Sequence, residues 1–224
     1  MTKTELFEEE LIKNGISDER LSEYAVLLRR SGDDESRLQH CYTAALRFAP
    51  ENAEQAAELI RWGLKNYPGS WFSAYRAYYN MGLVYERAGK YRAAYDAYLA
   101  AYDALDESQI IYRRSVSGRL MWTLLHADSF RYSEQLERHY LMFRETDPFE
   151  AAFINNEFRL AVAETVVCLH HGRKEEAEAA YRAAVRLSRP GAVSRAQGVL
   201  DRHNVADELS VTPECAAFLK SLRM

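Results

Sequence analysis

No uninterrupted apolar run in this chain approaches the roughly 18 residues that a membrane-crossing helix needs, so no segment reads as a span and no membrane partner is expected. The opening stretch MTKTELFEEELIKNG is acidic and has no apolar core, which argues against a secretory signal. Glycine (10) and proline (5) are scarce in 224 residues, and hydrophobic residues make up 48%. That balance belongs to a folded chain and excludes a disordered one. Long polar–apolar alternation with β-branched residues is missing, so essentially no sheet is expected. Cysteines are few, odd in number and far apart. Cys41, Cys168 and Cys215 each sit among apolar or aromatic neighbours, which reads as three buried free thiols in a reducing cytoplasm. Charge of one sign is also missing: the net charge is −4 and the pI about 5.9. A general nucleic-acid binder shows a basic domain or stripe, so direct nucleic-acid contact is not expected. The Arg-rich stretch 173–202 is interrupted by Glu175, Glu176 and Glu178 and reads as a solvated helix face.

Catalytic signatures are absent as well. There is no glycine-rich phosphate loop, no nucleophile elbow and no paired-carboxylate motif. The histidines, at 40, 126, 139, 170, 171 and 203, include no HxxxH pair, so no metal ligands and no cofactor are assigned. Cys168 and His171 stand one helical turn apart, the one place where a thiol could meet an imidazole. A catalytic dyad would still need a third group and an open cleft.

What the chain does have is helix. Ala, Leu, Glu and Arg dominate, all good helix formers. A first helix is expected over 4–13, ended by Asn14-Gly15, and a second from Ser17-Asp18 to about residue 30. Helical pairs then follow over about 35–66, 73–105 and 107–145, with Pro50 opening the second helix of the first pair. A fourth pair opens at Asp147-Pro148, turns at Gly172 and closes at Pro190. Short helices are expected near 193–202 and from Thr212-Pro213-Glu214 to about residue 222. In domain terms this is a single helical domain over 1–224. It comprises an N-terminal helical pair (1–32), four pairs (35–190) and C-terminal capping helices (191–224).

The most specific signal lies in residues 75–101, YRAYYNMGLVYERAGKYRAAYDAYLAA. Tyr78, Met81, Gly82 and Tyr85 fall at three- and four-residue steps and share one helix face. Gly82 removes a side chain where two helices come close. Gly89 can take the left-handed turn that ends the helix. Ala94, Tyr98 and Ala101 make the matching face of the next helix, small residues receiving large aromatics. The pattern Tyr78-x-x-Met81-Gly82-x-x-Tyr85, then Ala94-x-x-x-Tyr98 and Ala101, resembles the tetratricopeptide (TPR) signature. Ala177-x-x-x-Tyr181 and Ala184 repeat its second half. Pair starts are about 38 to 42 residues apart, longer than the family's period of about 34, so a less regular array is expected. The third pair keeps Leu120, Leu124, Ala127, Tyr140 and Phe143 but reads as lacking the small residues of the signature.

The resemblance implies an all-α, right-handed superhelix of antiparallel helix pairs. It also implies a concave groove lined by the first helix of each pair. In this sequence those slots hold Tyr42, Arg76, Tyr79, Asn80, Leu83, Met121 and Trp122, an aromatic set suited to adaptable binding hot spots. Asn80 stands in a slot of the family's carboxylate clamp. The neighbouring clamp slots hold Cys41, Ala45, Gly118 and Trp122, so a basic clamp for a carboxylate is not expected. The resulting expectation is a non-enzymatic, cytoplasmic scaffold that binds a protein or peptide segment. Three alternatives stand beside it: a bacterial regulatory or sensor protein, an enzyme using Cys168 and His171, and a self-associating protein such as a homodimer.

Overall fold

The computed structural model describes residues 3–128, 133–144, 156–187 and 213–222. Those residues form eleven α-helices, one 3-10 turn and no strand. The helices pack as sequence-adjacent pairs, so this is an all-helical, TPR-like repeat fold. The expected helix near 193–202 and the Asp147-Pro148 and Pro190 boundaries lie outside the described residues. Contacts gather the chain into two compact units, 1–109 and 110–224.

The first unit holds α1 (Lys3–Lys13), α2 (Asp18–Leu28), α3 (Asp34–Phe48), α4 (Ala53–Asn66), α5 (Trp71–Arg87) and α6 (Tyr91–Asp103), followed by a 3-10 turn at Glu107–Gln109. Side-chain caps start two of them: Ser17 accepts from the Arg20 N–H, and Asp33 from the Ser36 N–H, each satisfying a donor that the helix leaves over. Pro50 does not open α4. It lies in the preceding turn, and Asn52 stands at the cap position before Ala53.

The α5–α6 hairpin carries the repeat signature. Gly89 has φ +69, and the Lys90 N–H donates to the Tyr85 carbonyl at 2.9 Å. This six-to-one bond closes the helix end over a left-handed residue. Across the hairpin Gly82 meets Tyr98, which is fully buried and whose hydroxyl donates to Glu86 at 2.6 Å. A Cβ on Gly82 would lie 2.4 Å from Tyr98 Cε1, so the ring occupies the space that a side chain would need. In the α3–α4 hairpin the glycine sits on the second helix of the pair. A Cβ on Gly63 would come 2.9 Å from Cys41 Sγ.

Polar bridges hold one pair to the next. Tyr85 donates its hydroxyl to Glu54 at 2.9 Å and accepts from Arg61 at 3.1 Å, while Lys90 donates to the other Glu54 oxygen at 3.0 Å. The hydrogen bonds from Lys90 and Tyr85 hold the Glu54 carboxyl below the usual carboxylate range.

The second unit holds α7 (Ile110–Asp128), α8 (Ser133–Arg144), α9 (Asn156–His170), α10 (Lys174–Leu187) and α11 (Pro213–Ser221). The third pair does have a small residue at its crossing. A Cβ on Gly118 would meet the Phe143 ring at 2.8 Å, so this hairpin uses the glycine-against-aromatic contact of α5–α6. The Gly172 turn copies the Gly89 turn: φ is +70, and the Arg173 N–H donates to the Cys168 carbonyl at 2.8 Å. Ala177, Cys168 and Phe218 form a core cluster with Tyr181 and Leu222 against it, and the Tyr181 and Phe218 rings meet edge-on at 6.2 Å. The α11 helix thereby covers the α9–α10 pair, as a terminal cap of an array does.

Candidate functional site

In the first unit α1, α3 and α5, the first helices of three successive pairs, surround a cavity of about 530 Å³. Its lining is polar: Thr4, Glu5 and Glu8 come from α1, Gln39, His40, Thr43 and Arg47 are among those from α3, and Arg76 comes from α5. This volume is in the range of small-ligand or side-chain pockets.

Arg76 is the most constrained of these groups. Its guanidinium donates to Glu35 at 2.9 Å and to the Gln39 side chain, and lies 5.5 Å from the centres of both the Tyr42 and Phe72 rings. Ser73 donates to the second Glu35 oxygen at 2.7 Å, and Tyr42 donates to the Ser73 carbonyl at 3.0 Å. A planar fork between two rings and a carboxylate suits arginine and not lysine. The cluster pins α3 to α5 at the cavity wall.

Glu8 is 3% exposed. Tyr24 donates to its Oε1 at 2.7 Å, and His40 Nδ1 stands 3.9 Å from the same oxygen. Burial holds this carboxyl above the usual range, against the lowering effects of the Tyr24 hydrogen bond and the His40 and Arg47 charges. The sequence gives no hint of it. Glu8-Glu9-Glu10 looks like a solvated face, and only Tyr24, sixteen residues further on, distinguishes the first of the three.

The residues expected to line a groove divide. Arg76 lines the cavity. Tyr79, Asn80 and Leu83 are half-buried on the same helix. The Tyr79 ring packs at 5.8 Å from Tyr75 and 5.5 Å from Tyr98, and Asn80 Nδ2 donates to the Arg76 carbonyl at 2.7 Å. Tyr42, Met121 and Trp122 are core side chains, 1%, 0% and 4% exposed, and this corrects their expected place on an open surface. The reason for the last two is visible in α7. Val116, Ser117, Gly118 and every residue from Leu120 to Leu125 are buried, so this segment of the helix is wrapped on nearly all sides. Trp122 is covered by Arg159 at 4.7 Å and meets the His126 ring at 4.7 Å. The cavity lining is correspondingly charged where the slots led us to expect aromatics.

The thiol–imidazole pair does not form. His171 Nε2 lies 3.0 Å from Glu137 Oε2. Burial pushes the Cys168 thiol above its ordinary value, the opposite of what a nucleophile requires. All three cysteines are buried and free, and burial raises Cys41 as well. We expect none of the three to react with a thiol-specific chromogenic reagent in native buffer, and all three to react in denaturant. Rapid native labelling of Cys168 alone would restore the dyad reading.

Among the described residues no helix is long and apolar enough to cross a membrane. Residues 75–104 match the tetratricopeptide repeat family model, and this stretch is the α5–α6 hairpin with the Gly82–Tyr98 contact. No curated protein and no solved structure matches the chain. The matched repeat and the all-helical pairing make this a TPR-like protein, and a TPR repeat points to protein interaction.

Proposed function

We propose that this TPR-like chain is a non-catalytic binding module that takes up a protein or peptide segment on the first-helix face of residues 1–109. The observation that carries the reading is the cavity between α1, α3 and α5, formed by the first helix of three consecutive pairs. Arg76, Tyr79, Asn80 and Leu83 extend along α5 as the contact residues. The carbonyl of Asn80 is available to a partner's backbone N–H, since its amide is turned back onto its own helix. The three buried free thiols fit a reducing compartment, and we place the protein in the cytoplasm on that ground.

Peptides selected from a random display library on the full chain test the assignment. Thr43→Trp, which fills the cavity, and Asn80→Ala are each expected to weaken a selected peptide at least tenfold, with the helical circular dichroism unchanged. Val26→Ala, an exposed position on α2, is expected to leave affinity as it was. Undiminished binding by Thr43→Trp would move the interface off this face.

A further inference from the structure

The α9–α10 pair repeats the second half of the hairpin code but not the first. Sixteen residues before Tyr98 stands Gly82, and sixteen before Tyr181 stands Thr165. Thr165 is fully buried and donates its hydroxyl to the Ala161 carbonyl at 2.8 Å. A β-branched residue cannot give a ring the room that a glycine gives. Tyr98 is fully buried in its own hairpin, whereas Tyr181 is half-buried and its ring meets that of Phe218 on α11. The pair thus presents an apolar face, made by Cys168, Leu169, Ala177 and Tyr181, that Phe218 and Leu222 cover from outside the hairpin.

Several features mark α11 as a replaceable cover. It is 9 residues long, and isolated helices shorter than about 12 residues are marginal in water, so its order rests on the face it docks to. Its buried side chains Cys215 and Phe218, with Leu222 just beyond its end, fall at i, i+3 and i+7. This is the anchor spacing of an amphipathic helix in a groove. The fit is incomplete: a cavity of about 490 Å³ remains between α10 and α11, lined by Leu169, Phe218 and Leu222 and by Lys174, Glu175 and Glu178 among others. Residues 188–212 separate α11 from α10 in the chain, so the cover is joined to the pair without being part of its hairpin.

We propose that this face is a second binding site, separate from the first-helix face of residues 1–109, and that its ligand is an amphipathic helix of a partner protein. That helix carries apolar residues at i, i+3 and i+7, is longer than α11, and displaces it. The seated α11 is the template for these requirements. A longer helix is better formed before it docks, so it loses less on ordering, and it has further side chains for the cavity that α11 leaves. The charged lining residues are of both signs, so selection falls to the apolar anchors and not to charge. The covalent connection works against displacement: α11 competes at an effective concentration that a free ligand must overcome. Weakening α11 therefore exposes the site.

The test uses a fluorescein-labelled peptide of residues 211–224 in reducing buffer, followed by anisotropy, with the full chain and its Phe218→Ala variant. The variant loosens the chain's own α11 and is expected to bind the peptide at least tenfold tighter than the wild type does. The same peptide carrying Phe218→Ala is expected not to bind. Equal affinity of wild type and variant, or no binding by either, overturns the site. A second measurement needs no variant. A helix of about 20 residues, with residues 214–222 set between added turns of Ala, Glu and Lys, is titrated into the isotope-labelled wild type and followed by NMR. It is expected to shift the Tyr181 signals and to move those of Phe218 toward their values in the free peptide. Unmoved Phe218 signals overturn the displacement, even where Phe218→Ala does not fold. Concentration-dependent dimerisation of the wild type that Phe218→Ala abolishes assigns the face to α11 of a second copy and overturns the partner helix. None of these outcomes bears on the first-helix face of residues 1–109, which Thr43→Trp decides.

Discussion

Replacing Gly82 with leucine is expected to destabilise residues 1–109 by about 3 kcal/mol or more, at the upper end of what overpacking costs. The Tyr98 ring is in the way. A single Cβ at residue 82 would stand 2.4, 2.5 and 2.7 Å from three of its atoms. The ring is fully buried and its hydroxyl is held by Glu86, so moving it breaks a hydrogen bond and disturbs the contact with Tyr79. Even Gly82→Ala should lose stability, although alanine gains roughly 1 kcal/mol in helix propensity over glycine. The sign of the alanine variant is therefore informative: steric cost must exceed propensity gain. Denaturant unfolding of the wild type and the two variants measures this. A leucine variant with an unchanged midpoint would show that α5 and α6 do not cross at this residue.

Acid should weaken the second unit through His139. This imidazole is 8% exposed on α8, and its pKa is lowered from 6.5 to about 4, by burial first and then by the charge of Arg138. The native state therefore binds fewer protons than the unfolded chain between those two values. The contribution is fully present above about pH 6.5 and is lost as pH falls toward 4. At about 1.4 kcal/mol per pKa unit, the loss is about 3 kcal/mol. Carboxylates also titrate at the lower end, so the decisive quantity is the difference between the wild type and His139→Leu. The variant is expected to show a shallower decline from pH 6.5 to 4.5. Parallel declines would mean that His139 is solvated or already charged in the native protein.

The hairpins were legible in the sequence because they depend on local spacing. Tyr78, Met81, Gly82 and Tyr85 declare one helix face, and Ala94 and Tyr98 its partner; both halves are found packed as the pattern implies. Gly118 was missed because its partner, Phe143, stands twenty-five residues away, further than the sixteen between Gly82 and Tyr98. The slot pattern then fails to align them. The site was less legible. The aromatic slots Tyr42, Met121 and Trp122 are core because pattern gives a helix face and not what covers it. Around residues 116–125 of α7 there is covering on nearly every side. Glu8 acquires its character from Tyr24 and His40, on two other helices. No periodicity within α1 carries that information.

The two left-handed turns, at Gly89 and Gly172, have a consequence for how this chain can vary. Each is followed by alanine five residues later and tyrosine nine residues later, Ala94 and Tyr98 in one case, Ala177 and Tyr181 in the other. Both alanines are fully buried. At both glycines a Cβ would meet nothing within 4 Å, so the constraint there is backbone conformation alone. Hairpin shape is thus encoded by a sparse set of positions, to which outward residues such as Lys90 add bridges to the neighbouring pair. The tyrosine that follows Gly89 buries itself under Gly82, and the one that follows Gly172 faces Phe218 of α11. One sparse code therefore serves two different neighbours, an interior hairpin and a capped one.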